Sequence, residues 1–139
     1  MKTWRARFFA AWSQCDAAGI VFYPHVYVWF DEATENLFRA NKLGYPELES
    51  ELGLSGMPLV ETGATYRNPC RLGDALEIET WVDDWGKRSF LVRHVVRHKD
   101  GAVALEGFER RVLVAPDPGH PKGIRAIEIP AAVIARFVD

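Results

Sequence analysis

The sequence predicts an α+β domain in which one long helix lies against an antiparallel sheet. Three observations point there: an alternating run at Thr3–Ser13, a single long stretch of helical periodicity from Pro24 to about Lys42, and four further alternating runs between Leu59 and Ala115. At 139 residues the chain suits one domain, 1–139, without internal repeat, low-complexity segment or linker. A sheet has two faces, and one helix leaves surface to cover, so a symmetric homodimer is expected.

The elements follow in order. Trp4, Ala6, Phe8, Ala10 and Trp12 share one parity and Arg5 and Arg7 the other, which makes Thr3–Ser13 a strand with its apolar parity inward. Val26, Phe30, Ala33, Leu37 and Ala40 recur at helical spacing after Pro24, with Trp29 beside them. Asp31, Glu32 and Glu35 are read into the early turns, Arg39 and Lys42 into the last, and Gly44 as the C-terminal cap. Phe38 falls off the stripe, so more than one helix face is covered. Pro46 starts a short helix with Leu48 and Leu52 on one side, ended by Gly53 and Gly56. Strands are expected at Leu59–Asn68, Ala75–Trp85, Ser89–His98 and Ala102–Ala115, with Asp100-Gly101 as a hairpin turn. Apolar parity changes between Leu105 and Phe108, which suggests a bulge at Gly107. Pro116–Gly123 is a loop, Ile124–Ile129 a short extended piece, and Pro130 opens a final helix to Phe137.

Composition narrows the function. Hydrophobic content of 48%, charged content of 26% and a net charge of -2 describe a globular chain without the basic excess of a nucleic-acid binder. Cys15 and Cys70 make no disulfide framework, the N-terminal residues lack a signal-peptide core, and no apolar run is long enough to span a bilayer. A cytoplasmic setting follows as the default. Local basic clusters remain able to hold a phosphorylated ligand.

The stretch Ser13–His25 organises the chemistry. It carries an acid, Asp16, passes Gly19 and ends on Pro24, suited to a first helical position. Asp16 is thereby brought towards the free N–H groups of a helix start, which favour negative charge. A carboxylate facing preorganised donors suits acyl transfer. The simpler reading is that Asp16 caps the turn or the helix. Cys15 lacks an activating base and reads as a structural thiol. His94 and His98 share a strand face but are spaced too widely for one metal ion, so no metal site is expected.

At these residues the sequence resembles the 4-hydroxybenzoyl-CoA thioesterase family of hotdog-fold proteins. The resemblance is carried by Cys15-Asp16-Ala17-Ala18-Gly19-Ile20-Val21-Phe22-Tyr23-Pro24 followed by Trp29-Phe30-Asp31. It is supported by Tyr66-Arg67-Asn68-Pro69 with Gly73-Asp74, by Lys87-Arg88-Ser89-Phe90, and by Arg125-Ala126-Ile127-Glu128-Ile129-Pro130. It implies a hotdog fold, a curved antiparallel sheet around a central helix. It also implies dimers that often pair into homotetramers, with active sites at the dimer interface. The family's catalytic aspartate matches Asp16, and the backbone N–H that polarises the thioester carbonyl matches Tyr23. The basic residues that hold the coenzyme A phosphates match the region of Lys87, Arg88 and Arg125.

Some positions depart from the pattern. A related branch of acyl-CoA thioesterases has histidine where Tyr23 stands. Aroyl-CoA members usually carry a small polar residue where this chain has Met57. Another branch uses a helical glutamate, which makes Glu32 and Glu35 the runners-up to Asp16. Trp29 and Phe22, with the partner subunit, are expected to wall the acyl pocket.

Together these readings predict a thioester hydrolase without metal or redox cofactor, acting on an aroyl-CoA such as 4-hydroxybenzoyl-CoA. Asp16 would serve as nucleophile or general base. The alternatives are a short or branched aliphatic acyl-CoA substrate, a non-catalytic acyl-CoA or acyl-carrier-protein binding module, and a dehydratase, whose usual histidine has no counterpart here.

Overall fold

The computed structural model describes residues 1–139. Its elements are β1 (Thr3–Phe9), α1 (Pro24–Ala40), α2 (Tyr45–Leu52), β2 (Leu59–Tyr66), β3 (Ala75–Trp85), β4 (Ser89–His98), β5 (Val103–Val112), β6 (Val114–Pro116), β7 (Ile124–Ala126) and α3 (Ala131–Ile134), with a 3-10 turn at Trp12–Gln14. Five strands form one antiparallel sheet in the order β1-β3-β4-β5-β2, and β6 pairs with β7 in a separate ribbon. α1 packs on the inner face of this sheet against β1, β3 and β5. This is the hotdog arrangement that the resemblance implied.

The inner parity of β3 and β4 is the one periodicity predicts: Leu76, Ile78 and Val82, with Phe90, Val92 and Val96, are buried. Gly101 takes the left-handed conformation (φ 91°) that the Asp100-Gly101 turn requires. Phe38 is wholly buried, packed on Phe90 of β4 and on Phe137 beyond α3, which is the second covered face.

Several boundaries differ from the sequence expectation, each for a local reason. β1 stops at Phe9 because Ala10 turns away to exchange backbone hydrogen bonds with Asp74 and Gly73. Trp12, expected inward, therefore stands on the 3-10 turn and is 80% exposed. α1 is closed by Lys42 at φ 60°, not by Gly44. The Leu43 N–H reaches back to the Phe38 carbonyl at 2.9 Å, and the Asn41 side chain donates to Leu37 O at 2.8 Å. Gly44 instead precedes α2 as its N-cap. No acidic residue lies in the first turn of α1.

Gly107 marks no bulge. β5 pairs continuously there with both neighbours, Gly107 facing His94 on β4 and Ala64 on β2. The inward parity of β5 runs unbroken through Leu105, Gly107, Glu109 and Arg111, and the apolar Phe108 points the other way. The bulges of the sheet fall at Leu59/Glu61, Val82/Asp84 and Val96/Arg97.

Buried charge thus lies in the middle of the sheet's inner face. One apolar cluster, with Leu37, Phe38, Phe90 and Leu113, fills one end of the core; another, with Val26, Phe30, Ile78 and Leu105, fills the other. Between them lies a layer of Thr34, Thr80, His94, Glu109 and Arg111, all buried. Phe30 stacks on the His94 ring at 4.5 Å and covers Gly107 so closely that a Cβ there would stand 2.2 Å from it.

Candidate active site

The loop after the 3-10 turn is stapled to the segment before β3. Asp16 N–H donates to Ile20 O at 2.9 Å, Gly19 N–H to Asp16 O at 3.0 Å, and Val21 N–H to Cys70 O at 2.8 Å. Leu72 N–H closes on Gly19 O at 3.0 Å. Gly19 adopts φ 76°, which lets the chain reverse within four residues. The Asp16 carboxylate accepts the Ala18 N–H through Oδ1 at 2.8 Å. The turn-capping role is therefore real, and it fixes the carboxylate while Oδ2 keeps no partner within the chain. Asp16 does not cap α1, whose N-cap is Tyr23 without a side-chain cap.

The start of α1 offers a narrower donor set than a generic helix start. Pro24 has no N–H, His25 N–H bonds Phe22 O at 3.0 Å, and Val26 N–H bonds Tyr23 O at 3.0 Å. The Tyr23 N–H donates to no group of the chain. Phe22 N–H donates to Gln14 O at 2.8 Å, which ties this helix start to the turn that precedes Asp16. One fixed carboxylate and one unpaired helix-start donor thus lie on a single stapled loop.

Two clefts flank that loop. A cleft of about 460 Å³ lies on the Tyr23 side, walled by Val21, Val26, Tyr66, Cys70 and Leu105. Burial pushes the Cys70 thiol up to about 11, helped by Asp74, so it stays protonated. Burial and neighbouring Tyr27 push the Tyr66 hydroxyl up to about 12. A smaller cleft of about 330 Å³ holds Asp16 itself, with Trp12, Cys15 and Leu72. Cys15 donates its thiol to Ala11 O at 3.4 Å.

Other predicted site residues lie elsewhere. Trp29 walls neither cleft; it is buried edge-on against Phe8 in the core, because its helix position faces β1. Phe22 is exposed, edge-on to Tyr23. Glu35 is paired with Arg39 at 2.8 Å on the far part of α1, and Glu32 lines the same polar cleft as Asp31 and Met57. His94 is hydrogen-bonded on both ring nitrogens, to Thr80 and Glu109, and His98 lies 3.7 Å from Asp74.

The predicted phosphate-binding cations group together, but far from Asp16 within one chain. Ile129 N–H bonds Lys87 O, which sets the Lys87–Arg88 turn beside the segment that follows Arg125. Lys87 pairs with Glu128 at 3.0 Å, Arg125 lies 3.9 Å from Asp117, and Arg88 has no carboxylate partner. The Asp16 loop is stapled to the N-terminal end of β3 and this turn follows its C-terminal end. The eleven residues of β3 separate them by roughly 33 Å at the rise of an extended strand.

The buried polar layer is not anticipated in the sequence, because the parity change between Leu105 and Phe108 reads as a bulge at Gly107 and leaves Glu109 and Arg111 without a role. The available signal was Thr80 and His94 at inward positions of β3 and β4, polar groups that needed partners. Burial lowers the His94 pKa and outweighs the opposing influence of Glu109, leaving a neutral ring that donates through Nε2. Burial works to raise the Glu109 pKa, but His94 and Arg111 together hold it below the usual carboxylate range. Thr34 also donates to Glu109 Oε1. Arg111 bonds Glu109 at 2.5 Å, Asp31 at 2.7 Å and the Met57 carbonyl at 2.8 Å.

Comparison with known proteins shows the family. The model of the thioesterase-like superfamily matches residues 10–137. The chain is 35% identical to the 4-hydroxybenzoyl-CoA thioesterase of Pseudomonas sp. (strain CBS-3), over 86% of each chain. An aspartate-to-asparagine mutant of a 4-hydroxybenzoyl CoA thioesterase, complexed with 4-hydroxybenzoyl CoA, superposes with a TM-score of 0.89 at 29% identity, covering 99% of this chain and 100% of that one. A gentisyl-coenzyme A thioesterase superposes with a TM-score of 0.79, also at 29% identity, over 94% and 98% of the two chains. The chain belongs to the thioesterase-like superfamily, within the 4-hydroxybenzoyl-CoA thioesterase family of hotdog-fold thioester hydrolases.

Proposed function

We propose that this single-domain protein hydrolyses a small aroyl-CoA thioester, of the 4-hydroxybenzoyl-CoA kind, to the free acid and coenzyme A. The observation that carries the reading is the pairing on one loop of an anchored carboxylate, Asp16, with the unpaired N–H of Tyr23. The Tyr23 N–H polarises the thioester carbonyl and receives the charge that develops on its oxygen. The free Oδ2 of Asp16 either attacks the carbonyl carbon, giving a mixed anhydride that water then opens, or takes a proton from the attacking water. The thiol of coenzyme A leaves in both routes. A relative bound to its thioester as an aspartate-to-asparagine mutant is in keeping with an essential acid.

The distance between the Asp16 loop and the Lys87, Arg88 and Arg125 group favours a site shared between subunits. One subunit supplies the acid and a neighbouring subunit the cations that hold the coenzyme A phosphates. β2 is an edge strand with exposed Leu59, Val60 and Tyr66, and its free backbone edge suits sheet-to-sheet pairing of a homodimer, with dimers pairing into a tetramer.

A short or branched aliphatic acyl-CoA is the second reading. It rests on the departure at Met57 from the small polar residue that the resemblance implies; Met57 itself is buried in the cluster with Leu113 and walls neither cleft of the Asp16 loop. The deciding experiment is thiol release over a panel of acyl-CoAs, with D16N beside the wild type. Turnover is expected to fall by roughly 10²–10⁴-fold in D16N while the fold is kept. Unchanged turnover would remove Asp16 from the mechanism. Binding of acyl-CoA without thiol release by the wild type would make the protein a binding module.

A further inference from the structure

Trp12 leaves the inner parity of β1 and puts its indole ring into solvent at 80% exposure, beside the candidate acid. Its base is fixed. The Ala11 N–H bonds the Gln14 side chain at 3.0 Å, Cys15 N–H closes on Trp12 O at 3.2 Å, and Gln14 O accepts the Phe22 N–H at the helix start. Leu72, itself exposed, is held across the cleft by its bond to Gly19 O. Among the side chains that line the Asp16 cleft, Trp12 and Leu72 are the large apolar ones.

Resting on the thioesterase reading above, we propose that Trp12 is the aryl-recognition residue of the site, its indole lying against the ring of an aroyl thioester with Leu72 at the flank. Covalent geometry carries the inference. In an aroyl thioester the ring is bonded directly to the carbonyl carbon. A carboxylate positioned for reaction approaches that carbon to about 3–3.5 Å. The ring therefore lies within a few ångströms of Asp16, the acid whose own cleft Trp12 and Leu72 line. Two aromatic rings in edge or offset contact gain beyond their area burial, whereas a saturated chain gains from area alone. Trp12 thus selects aryl over alkyl thioesters.

The test uses D16N protein, so that bound thioester persists, titrated calorimetrically with benzoyl-CoA and with butyryl-CoA. Adding W12A is expected to weaken benzoyl-CoA roughly tenfold or more and butyryl-CoA by less than about threefold. Adding W12F in its place is expected to keep benzoyl-CoA within about threefold. Equal weakening of both ligands, or no weakening of either, overturns the assignment. So does a W12A protein that sediments as a smaller assembly, since Trp12 would then be covered by a second copy of the chain. Absence of thiol release by the wild type sinks the hydrolase reading but leaves this binding preference to stand or fall on its own numbers.

Discussion

Glu109 Oε1 accepts a hydrogen bond from His94 Nε2 at 2.9 Å, with both side chains closed off from solvent. The other ring nitrogen of His94 meets Thr80 Oγ1 at 2.8 Å, so a neutral ring accepts there from the hydroxyl and is satisfied on both sides. The single negative charge of Glu109 is balanced by Arg111.

The first prediction concerns pH. His94 titrates below its ordinary 6.5 when folded, so below that pH the unfolded chain binds a proton that the folded chain refuses. Stability therefore falls as pH drops through 6.5 towards the lower folded value. Glu109 titrates below its ordinary 4.5 when folded, so its contribution is present above 4.5 and is lost as pH falls through its depressed value. Thermal melts between pH 8 and pH 2 should show two successive losses. His94→Gln should flatten the first and leave a smaller second loss, held by Arg111 alone, whatever it does to the absolute Tm.

Glu109→Ala should be among the costly substitutions in the chain. It removes the buried counter-ion of Arg111, leaving that side chain only Asp31 and the Met57 carbonyl, and leaves the His94 N–H unpaired, at about 3–5 kcal/mol by urea denaturation. Glu106 is three residues away on the opposite face, in an exposed pair with Arg67. Glu106→Ala should change stability by no more than about 1 kcal/mol. Equal losses at the two positions would mean that the buried layer is not what holds the sheet centre together.

These two glutamates show where sequence reading stops. The loop around Asp16 and Gly19 and the Pro24 helix start were legible because their chemistry is local: an acid, a residue that permits a left-handed turn, and a proline. The strand faces of β3 and β4 were legible because apolar residues alternate there. β5 was not. Its inward positions hold Gly107, Glu109 and Arg111, which only their partners on α1 and β4 justify, so the parity looked broken. Trp12 went astray for the related reason that the end of β1 is set by the bonds of Ala10 to the segment before β3.

Gly107→Ala is expected to destabilise by about 1–3 kcal/mol or more, since the added methyl meets Phe30 at 2.2 Å and Gly63 O at 3.0 Å in a closed interior. At Gly63 a methyl meets Phe108 at 2.9 Å, but that ring lies on the outer, half-exposed face and has room to shift. Gly63→Ala should cost clearly less by the same denaturation measurement. It would also show that Gly107 is kept small so that Phe30 can lie on His94.

Charge reversal at Arg88 and Arg125 together should raise the KM for an acyl-CoA roughly tenfold or more and leave kcat nearly unchanged, because these cations lie far from the reacting carbonyl. The same pair of substitutions should weaken inhibition by free coenzyme A. An unchanged KM would relocate the phosphate site.

Tyr23 is predicted to act through its main chain. Tyr23→Phe should keep kcat within about threefold, since the side chain only lines the wider cleft. Tyr23→Pro tests the donor itself. The residue sits at φ -53° and ψ -31°, close to the φ that proline imposes, and its N–H bonds nothing in the chain. Proline there removes the donor without breaking a hydrogen bond, so the melting temperature should move little while kcat falls by about 10²–10³-fold. Tyr23→Ala, which shortens the side chain but keeps the N–H, separates loss of the donor from loss of the ring. If proline and alanine lower kcat alike, the carbonyl is polarised by some other group.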